Sequence, residues 1–336
     1  MSHIKYSKPI DMRKFNRDTS WRIDIASKQK AIAEKLSPHV FHVTRCPICA
    51  SEASSHFVTI YNYPYHECCN CGHLYSKTPP RAESLASLYT EDESGVVLSA
   101  QAEIYIQKDL FQQRVDEIAS PKAWFASELI PISGKWIDVG AGVGDLVIAA
   151  GQLGWNSVGY ESDIQEVEFA QSMGANVLNL FLDSESIKVL NDAAIVSTIN
   201  VLEHIIDPKS LVQLISDNIP MKSHFLFEVP RYPSISAFAN KCFPDLAARN
   251  IYSPDHLHLF TDKSATIMLE SAGFTTISTW FFGQDIYELF GNCMAVSGFS
   301  NHPLVDSILQ ISNDLQSVAD KNGLSDTMLV LARKDS

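Results

Sequence analysis

The chain has 336 residues, 46% of them hydrophobic, and a formal net charge of −13. This length and apolar content are enough for two packed domains and exclude a disordered chain, while the acidic balance argues against a polyanionic partner such as a nucleic acid. No apolar run is long enough to span a bilayer and no signal-peptide core is present, so we expect a cytoplasmic protein without a membrane partner.

Residues 1–43 form a basic N-terminal arm. Within residues 1–45, ten lysines and arginines stand against four acidic residues. Residues 1–18 have little apolar pattern, so we predict a loose, solvated tail, although its positive charge could contact a phosphate. From about residue 20 to residue 36, a partial helical spacing of apolar residues predicts a helix.

A cluster of cysteines comes next, with five of them inside residues 46–71. Four have the C-x2-C-x18-C-x2-C spacing of a zinc ribbon, which we place at residues 44–78: Cys46, Cys49, Cys68 and Cys71. Each C-x2-C turn directs two thiolates at one point, and two such turns supply a tetrahedral sulfur site. Because no coordination position is left open, the zinc would be structural rather than catalytic. The alternative is a reduced thiol cluster without metal, and Cys69 is predicted to be a spectator.

Residues 79–130 are predicted to form a helical linker, with helices near residues 81–89 and 102–129. Such a segment could cover a ligand site as a lid. Tyr89 and Tyr105 are candidate substrate contacts on this linker. The competing interpretation is that they belong to the core, as aromatic residues on helices more often do.

From residue 131 onward, strand-like and helix-like segments alternate. Strands are predicted near residues 135–139, 157–161, 176–180, 193–199, 223–229, 275–282 and 326–333. Helices are predicted near residues 145–153, 164–173, 208–219, 262–272 and 303–321. This alternation predicts an α/β fold with an open, mostly parallel sheet of seven strands that is covered on both faces.

A glycine loop follows the first of these strands, in the sequence Asp138-Val139-Gly140-Ala141-Gly142-Val143-Gly144. Glycines at alternate positions let the backbone turn tightly and approach a ligand. A dinucleotide fingerprint would need glycine where the chain has Asp145, and the G-K-S/T of a phosphate loop is absent. Glu161 ends the next strand, where an acid can accept hydrogen bonds from ribose hydroxyls. A ribose acid without a pyrophosphate signature predicts a nucleoside ligand.

The order and spacing of four motifs resemble those of class I S-adenosylmethionine-dependent methyltransferases of the methyltransferase-23 type. The motifs are the glycine loop, Glu161, Asn200–Pro208 and Asp255–Thr261. The resemblance covers roughly residues 131–336. It implies a Rossmann-like seven-stranded domain, S-adenosylmethionine as cofactor and methyl transfer as the activity. The cofactor contacts that it implies are Asp138, Gly140, Ala141, Gly142, Gly144, Glu161, Asp183 and Asn200. The Asp255-His256 element resembles the Glu-His element of sugar C-methyltransferases, which also carry a cysteine-rich N-terminal metal domain.

Three histidines are candidates for the chemistry. Methyl transfer to a hydroxyl or a carbon acid needs a base poised near neutral pH, and histidine suits that role. We predict that His256, oriented by Asp255, is the catalytic base, with His204 after the fourth predicted strand as the alternative. His258 would share a face with His256 in an extended segment. A structural role in ordering a loop is the competing interpretation for each of them.

Two further features near these histidines leave alternatives open. Glu228 and Arg231 end the fifth predicted strand, where they could contact substrate or form a surface ion pair. Some similar quinone-precursor O-methyltransferases hold a divalent metal with a Glu-His pair and an earlier acid. Here the earlier position is Asn200, which does not favour a catalytic metal.

We therefore predict methyl transfer from S-adenosylmethionine to a small molecule, such as a nucleotide-linked sugar or a polysaccharide or natural-product precursor. One alternative is an RNA methyltransferase, against which the acidic body and the absence of an Asn/Asp-Pro-Pro-Tyr/Phe element weigh. Another is a non-catalytic adaptor, against which the retained glycine loop and Glu161 weigh. The acceptor atom and the oligomeric state stay open.

Overall fold

The computed structural model describes residues 3–11, 19–88, 105–247, 249–299 and 302–336. The strands in these ranges are β1 (His3–Tyr6), β2 (Ser54–Ile60), β3 (Tyr63–Cys68), β4 (Leu74–Ser76), β5 (Lys135–Val139), β6 (Asn156–Glu161), β7 (Val177–Asn179), β8 (Ala193–Ile199), β9 (His224–Pro230), β10 (His258–Leu259), β11 (Phe274–Phe282) and β12 (Thr327–Lys334). The α-helices are α1 (Thr19–Leu36), α2 (Ala82–Ala86), α3 (Lys108–Arg114), α4 (Ser120–Ser127), α5 (Asp145–Gln152), α6 (Ile164–Ser172), α7 (Pro208–Asn218), α8 (Ile235–Cys242), α9 (Asp262–Ser271), α10 (Asp285–Ser297) and α11 (Leu304–Lys321). A π-helical turn, Val115–Ala119, joins α3 to α4.

The larger sheet has eight strands among the described residues, in the order β1-β11-β12-β9-β8-β5-β6-β7. The neighbours β9, β8, β5, β6 and β7 are parallel, whereas β12 is antiparallel to both β9 and β11. The fold is therefore α/β with a mixed central sheet. Because ligands of such sheets bind beyond the carboxyl ends of the parallel strands, the ends of β5, β6, β8 and β9 define the edge where a site is expected.

All seven strands predicted from residue 131 onward are present, and their ends agree to within one residue. The prediction of seven strands is nevertheless one short, because β1 pairs in parallel with β11 and adds an eighth. The N-terminal tail is thus not loose at residues 3–6. Backbone pairing and a hydrogen bond from Trp280 Nε1 to the Ser7 carbonyl oxygen (3.0 Å) hold it, while Ile4 and Tyr6 stay exposed. An exposed strand of four residues leaves no apolar signal in the sequence.

Two helices were not predicted, α8 and α10, which pack against each other. The predicted helix near residues 20–36 is α1, and it packs on α10. Arg22 of α1 forms a buried ion pair with Glu288 of α10, with 2.6 Å between Nη1 and Oε2. From α1 onward the basic arm is therefore part of the packed protein, because the charge of Arg22 is neutralised by the buried carboxylate of Glu288.

The predicted linker is helical in the part that the structure describes. The first predicted helix is only α2, and the second is the run from α3 through the π-helical turn to α4. Tyr89 and the predicted start of the second helix lie outside the described residues. Within these described ranges, no helix is long and apolar enough to cross a membrane.

A smaller antiparallel sheet carries the four cysteines, in the order β10-β4-β3-β2. Its edge strand β10 comes from the segment after β9, and His258 and Leu259 pair with Tyr75 and Leu74 of β4. We call residues 44–78 the cysteine module. It shares one buried apolar cluster with the large sheet, in which Cys46 packs in the same core as Val139 and Phe227.

Candidate active site

The glycine loop between β5 and α5 forms part of a cleft wall. Gly140, Gly142 and Gly144 have φ angles of 69°, 50° and 78°, in the left-handed region that side chains disfavour. A Cβ on Gly140 would lie 2.6 Å from Val201 Cγ2, so this glycine is required by packing. A Cβ on Gly142 would meet only the tip of Glu166, at 3.3 Å. The middle of the loop is therefore the place where backbone can come close to a ligand.

Glu161 ends β6 beside this loop. Its Oε2 accepts the N–H of Gly142 at 2.9 Å, and its Oε1 accepts the N–H groups of Ser162 at 2.7 Å and Asp163 at 2.9 Å. Glu166 is buried beside Gly142, and its burial, together with the nearby charge of Glu161, raises its pKa to about 8. The loop thus has one carboxylate at the strand tip and a second, buried carboxyl next to it.

A cavity of about 570 Å³ opens at the carboxyl edge of the large sheet. Six predicted cofactor contacts line it: Asp138, Gly140, Ala141, Gly142, Glu161 and Asn200. Asp138 is buried and accepts a short hydrogen bond from Ser197 Oγ, and burial raises its pKa to about 8. Tyr105, predicted as a candidate substrate contact, also lines the cavity.

Gly144 and Asp183, the other two predicted cofactor contacts, are not among the described residues that line this cavity. Asp183 instead caps a one-turn helix, because its carboxylate accepts the N–H groups of Glu185 and Ser186, each at 2.8 Å. Gly144 precedes α5, and a Cβ there would lie 2.6 Å from Ala175 Cβ. Both residues have a structural role in the described protein, and their contact with the cofactor stays a prediction.

Two histidines lie side by side in the cavity wall. His204 ends a 3-10 turn after β8, and its ring centroid is 4.8 Å from that of His256. His204 Nδ1 lies 3.1 Å from the carbonyl oxygen of Asp255, and His256 Nδ1 lies 2.8 Å from that of Asn250. Because a carbonyl oxygen can only accept, both rings are assigned a proton on Nδ1 and a lone pair on Nε2. Burial lowers the pKa of His204 to about 4 and the pKa of His256 well below its ordinary value, so both are neutral at pH 7.

Glu203 completes a polar cluster with these histidines. It is fully buried, and neither carboxylate oxygen has a hydrogen-bond partner among the described residues. Burial raises its pKa well above the ordinary value. One ligand atom from each of Glu203, His204 and His256 lies within 4.8 Å of the other two, so this cluster could hold a cation or share a proton.

The prediction that Asp255 orients His256 is wrong. The Asp255 carboxylate is buried and lies 3.4 Å from Gln29 Nε2 of α1, whereas the His256 ring is oriented by the Asn250 carbonyl group. Burial raises the pKa of Asp255 to about 7. Sequence adjacency misled here because the two side chains leave the backbone in different directions.

His258 also departs from the prediction that it shares a face with His256. His258 lies in β10, and its Nδ1 is 3.1 Å from His73 Nε2. Its Nε2 is 2.9 Å from the Ile205 carbonyl oxygen. His258 therefore contacts the cysteine module, while His256 lines the cavity.

Glu228 and Arg231, which could have formed an ion pair with each other, pair with other residues instead. Glu228 lines the cavity and pairs with buried Lys122, with 2.8 Å between Nζ and Oε2. Arg231 pairs with Asp262 at 2.7 Å and is not among the described cavity-lining residues. No Glu228–Arg231 pair therefore forms in the described part of the chain.

Sequence reasoning missed four cationic residues of the cavity, namely Arg114, Lys122, Lys8 and Arg249. Lys8 follows β1, and its Nζ lies 4.7 Å from the centre of the Phe282 ring. Burial, and then the charge of Lys122, lowers its pKa to about 7. Arg249 donates to Gln284 Oε1 at 3.0 Å. All four residues come from segments without a motif, so only the tertiary fold could reveal them.

The four cysteines of the predicted zinc ribbon converge. Sγ atoms are 3.6 Å apart between Cys46 and Cys71 and 3.5 Å apart between Cys49 and Cys68, and all four lie within 4.8 Å of one another. Tetrahedral zinc with bonds of about 2.3 Å would place its sulfurs about 3.8 Å apart, whereas a disulfide needs about 2.05 Å. The donor set therefore fits one zinc ion. Cys69 is exposed and is not part of the cluster.

Comparison with known proteins places this geometry in a family. Among solved structures, an S-adenosylmethionine-dependent methyltransferase from Archaeoglobus fulgidus is similar at 17% identity and a TM-score of 0.44, covering 67% of this chain and 99% of that chain. A magnesium protoporphyrin IX methyltransferase from Synechocystis, with bound S-adenosylhomocysteine, is similar at 14% identity and a TM-score of 0.44, covering 69% and 87%. No curated protein matches the sequence. Residues 110–279, half of the chain, match the methyltransferase domain family. The chain belongs to this family and is an S-adenosylmethionine-dependent methyltransferase.

Proposed function

We propose that the cavity binds S-adenosylmethionine at the glycine loop and Glu161 and methylates a small acceptor beside His204 and His256. The observation that carries this proposal is that the loop, the acid and both histidines line one cavity. Its volume of about 570 Å³ lies within the range of roughly 300–1,000 Å³ of small-molecule sites. In this arrangement Glu161 would accept hydrogen bonds from the ribose, and the backbone at Gly142 would lie against the methionine portion.

We propose His256 as the general base, with His204 as the alternative. Nδ1 of each ring donates its proton to a backbone carbonyl group, and the Nε2 lone pair of His256 would accept the proton of the substrate. His256 is favoured because its side chain is only half-buried in the cavity wall, whereas His204 is buried. A neutral ring at pH 7 is the form that can remove a proton from an acceptor as the methyl group arrives.

The proposed acceptor is a small molecule such as a nucleotide-linked sugar or a polysaccharide or natural-product precursor. Lys8 lines the cavity beside the Lys122–Glu228 and Arg249–Asp326 ion pairs and would suit an acceptor that carries a phosphate or carboxylate group. RNA methylation stays the alternative within enzymes, and the net charge of −13 weighs against it. A non-catalytic adaptor would not need the buried, unpartnered Glu203 beside two neutral histidines.

We further propose that Cys46, Cys49, Cys68 and Cys71 hold a structural zinc ion. The sulfur distances support one tetrahedral site without an open position. The roles would divide along the chain as a basic N-terminal arm (1–43), a zinc ribbon (44–78), a helical lid (79–130) and a methyltransferase domain (131–336). Seven cysteines without a disulfide support a reducing, cytoplasmic location, and no nucleic-acid or membrane partner is proposed.

The test of this function is methyl transfer from radiolabelled S-adenosylmethionine to a panel of sugar nucleotides and phenolic or carboxylic acceptors. With an acceptor in hand, His256→Asn should lower turnover by roughly 10²–10⁴-fold while calorimetric cofactor affinity stays near wild type. Turnover should fall as pH decreases through the lowered histidine pKa, and this limb should vanish in the variant. Loss of turnover in His204→Asn but not in His256→Asn would move the base to His204. Full activity in both variants would remove the histidine base.

A further inference from the structure

Tyr65 of β3 connects the cysteine module to the loop that carries His256. Its side chain is fully buried, yet it keeps a hydroxyl group. That hydroxyl donates to the His256 carbonyl oxygen at 2.6 Å and lies 2.6 Å from Ser253 Oγ. Since Tyr65 has one proton and spends it on the carbonyl group, Ser253 is the donor in the second bond. A buried hydroxyl with two short bonds thus connects the Ser253 side chain and the His256 backbone, the two ends of a four-residue stretch.

A second connection runs from the module to the turn that carries His204. His258 Nε2 faces the Ile205 carbonyl oxygen at 2.9 Å, so this nitrogen carries the proton and Nδ1 accepts. His73 Nε2 therefore donates to His258 Nδ1, at 3.1 Å. A backbone bond also links the module to the segment of His256, because Ser76 N–H donates to the Leu257 carbonyl oxygen at 2.8 Å.

These contacts converge on the two segments that bear the candidate base. Cys68 ends β3, three residues beyond Tyr65, and Cys71 precedes His73 by two residues. A metal held by the cysteines would thus fix the turn between β3 and β4, and with it the residues that hold the histidine segments. Phenylalanine would fill the same space as Tyr65, and it would avoid the cost of burying a hydroxyl group. The hydroxyl group therefore serves its two hydrogen bonds rather than the packing.

We propose that Tyr65 is a positioning residue for His256, through which the cysteine module sets the geometry of the active site. The expected effect of Tyr65 on turnover rests on the proposed role of His256 as the base. The expected effect of Tyr65 on the environment of the His256 ring does not depend on that role. The positioning role of Tyr65 and the base assignment can therefore be refuted separately.

The experiment compares Tyr65→Phe with Tyr63→Phe in the full-length, zinc-loaded protein. Tyr63 is the matched control, because it lies on the same strand, is also buried, and donates its hydroxyl to the Ala33 carbonyl group of α1 at 3.3 Å. Histidine side chains labelled with ¹⁵N report the tautomer and pKa of each ring by NMR, and His256→Asn assigns the signal. We expect Tyr65→Phe to move the His256 signal and its titration, and Tyr63→Phe to leave both in place.

Kinetics provide the second measurement. We expect Tyr65→Phe to lower kcat roughly 10- to 100-fold, the range expected when a catalytic group is misplaced. Zinc content and S-adenosylmethionine affinity should match those of Tyr63→Phe. Identical His256 signals in the two variants would overturn the proposal. If His256→Asn keeps full turnover, the base assignment fails, and the NMR comparison alone decides whether Tyr65 positions His256.

Discussion

At the scale of single residues, Glu161 has two roles, because it accepts a hydrogen bond from the glycine loop and also lines the cavity. Glu161→Ala should weaken S-adenosylmethionine binding by about 1.5–3 kcal/mol, because it removes charge-assisted hydrogen bonds to the ribose and the acceptor of the Gly142 N–H. Isothermal calorimetry measures this loss. Glu168→Ala is the control, since Glu168 is exposed on α6 and is not among the described cavity-lining residues. Equal affinities for the two variants would remove Glu161 from the cofactor site.

Glu166 offers a residue-scale test that needs no cofactor. Its pKa is about 8 in the folded protein against an ordinary 4.5. Between these values the folded state keeps a proton that the unfolded chain has released, so the free energy of unfolding falls as pH rises from 4.5 to 8 and levels off above 8. Glu166→Gln should reduce the slope by at most about 1.4 kcal/mol per pH unit. The contributions of Asp138 and Asp255, whose pKa values burial also raises, should remain. Urea unfolding across this range measures the slope, and a wild-type slope in the variant would contradict the cause. Glu168→Gln, exposed on the same helix, is the control.

At the scale of elements, the glycine loop separates packing from binding. Gly144→Ala should reduce stability by more than the roughly 1–2 kcal/mol of a left-handed side chain, because its Cβ would also meet Ala175 and Val177. Gly142→Val should retain more stability but lose cofactor affinity, since only the Glu166 tip approaches that position. Urea unfolding and calorimetry on both variants separate the two effects. Equal stability losses with equal affinities would refute this division.

Helices and strands with a clear apolar pattern could be predicted from the sequence. Short, exposed elements that form only through tertiary pairing could not. β5 and β8 match the prediction to the residue because both are short segments of mostly apolar and β-branched residues, as buried strands are. β1 is short and exposed, so its pairing with β11 is a tertiary event without a sequence signal. The cysteine spacing predicted a convergent cluster because local turns fix it. Asp255 failed because side-chain direction, unlike spacing, depends on the surrounding fold.

At the scale of the whole molecule, the cysteine module and the large sheet are joined too closely to act as independent units. They share an apolar core, and β10 of the methyltransferase segment completes the small sheet. Zinc loss should therefore reach the active site through Tyr65 and His73, which hold the segments of His256 and His204. The glycine loop and Glu161, at the ends of β5 and β6, are bonded to each other rather than to the module.

Cys46→Ser should consequently lose zinc and turnover together while S-adenosylmethionine affinity changes little. Elemental analysis, the methyl-transfer assay and calorimetry on the same preparation measure the three quantities. Cys69→Ser is the matched control, because Cys69 is exposed beside the cluster without belonging to it, and it should retain zinc and turnover. A Cys46→Ser protein that lacks zinc but keeps full turnover would show that the module does not set the active-site geometry. Wild-type protein without zinc, purified in the absence of chelators, would refute the metal site itself.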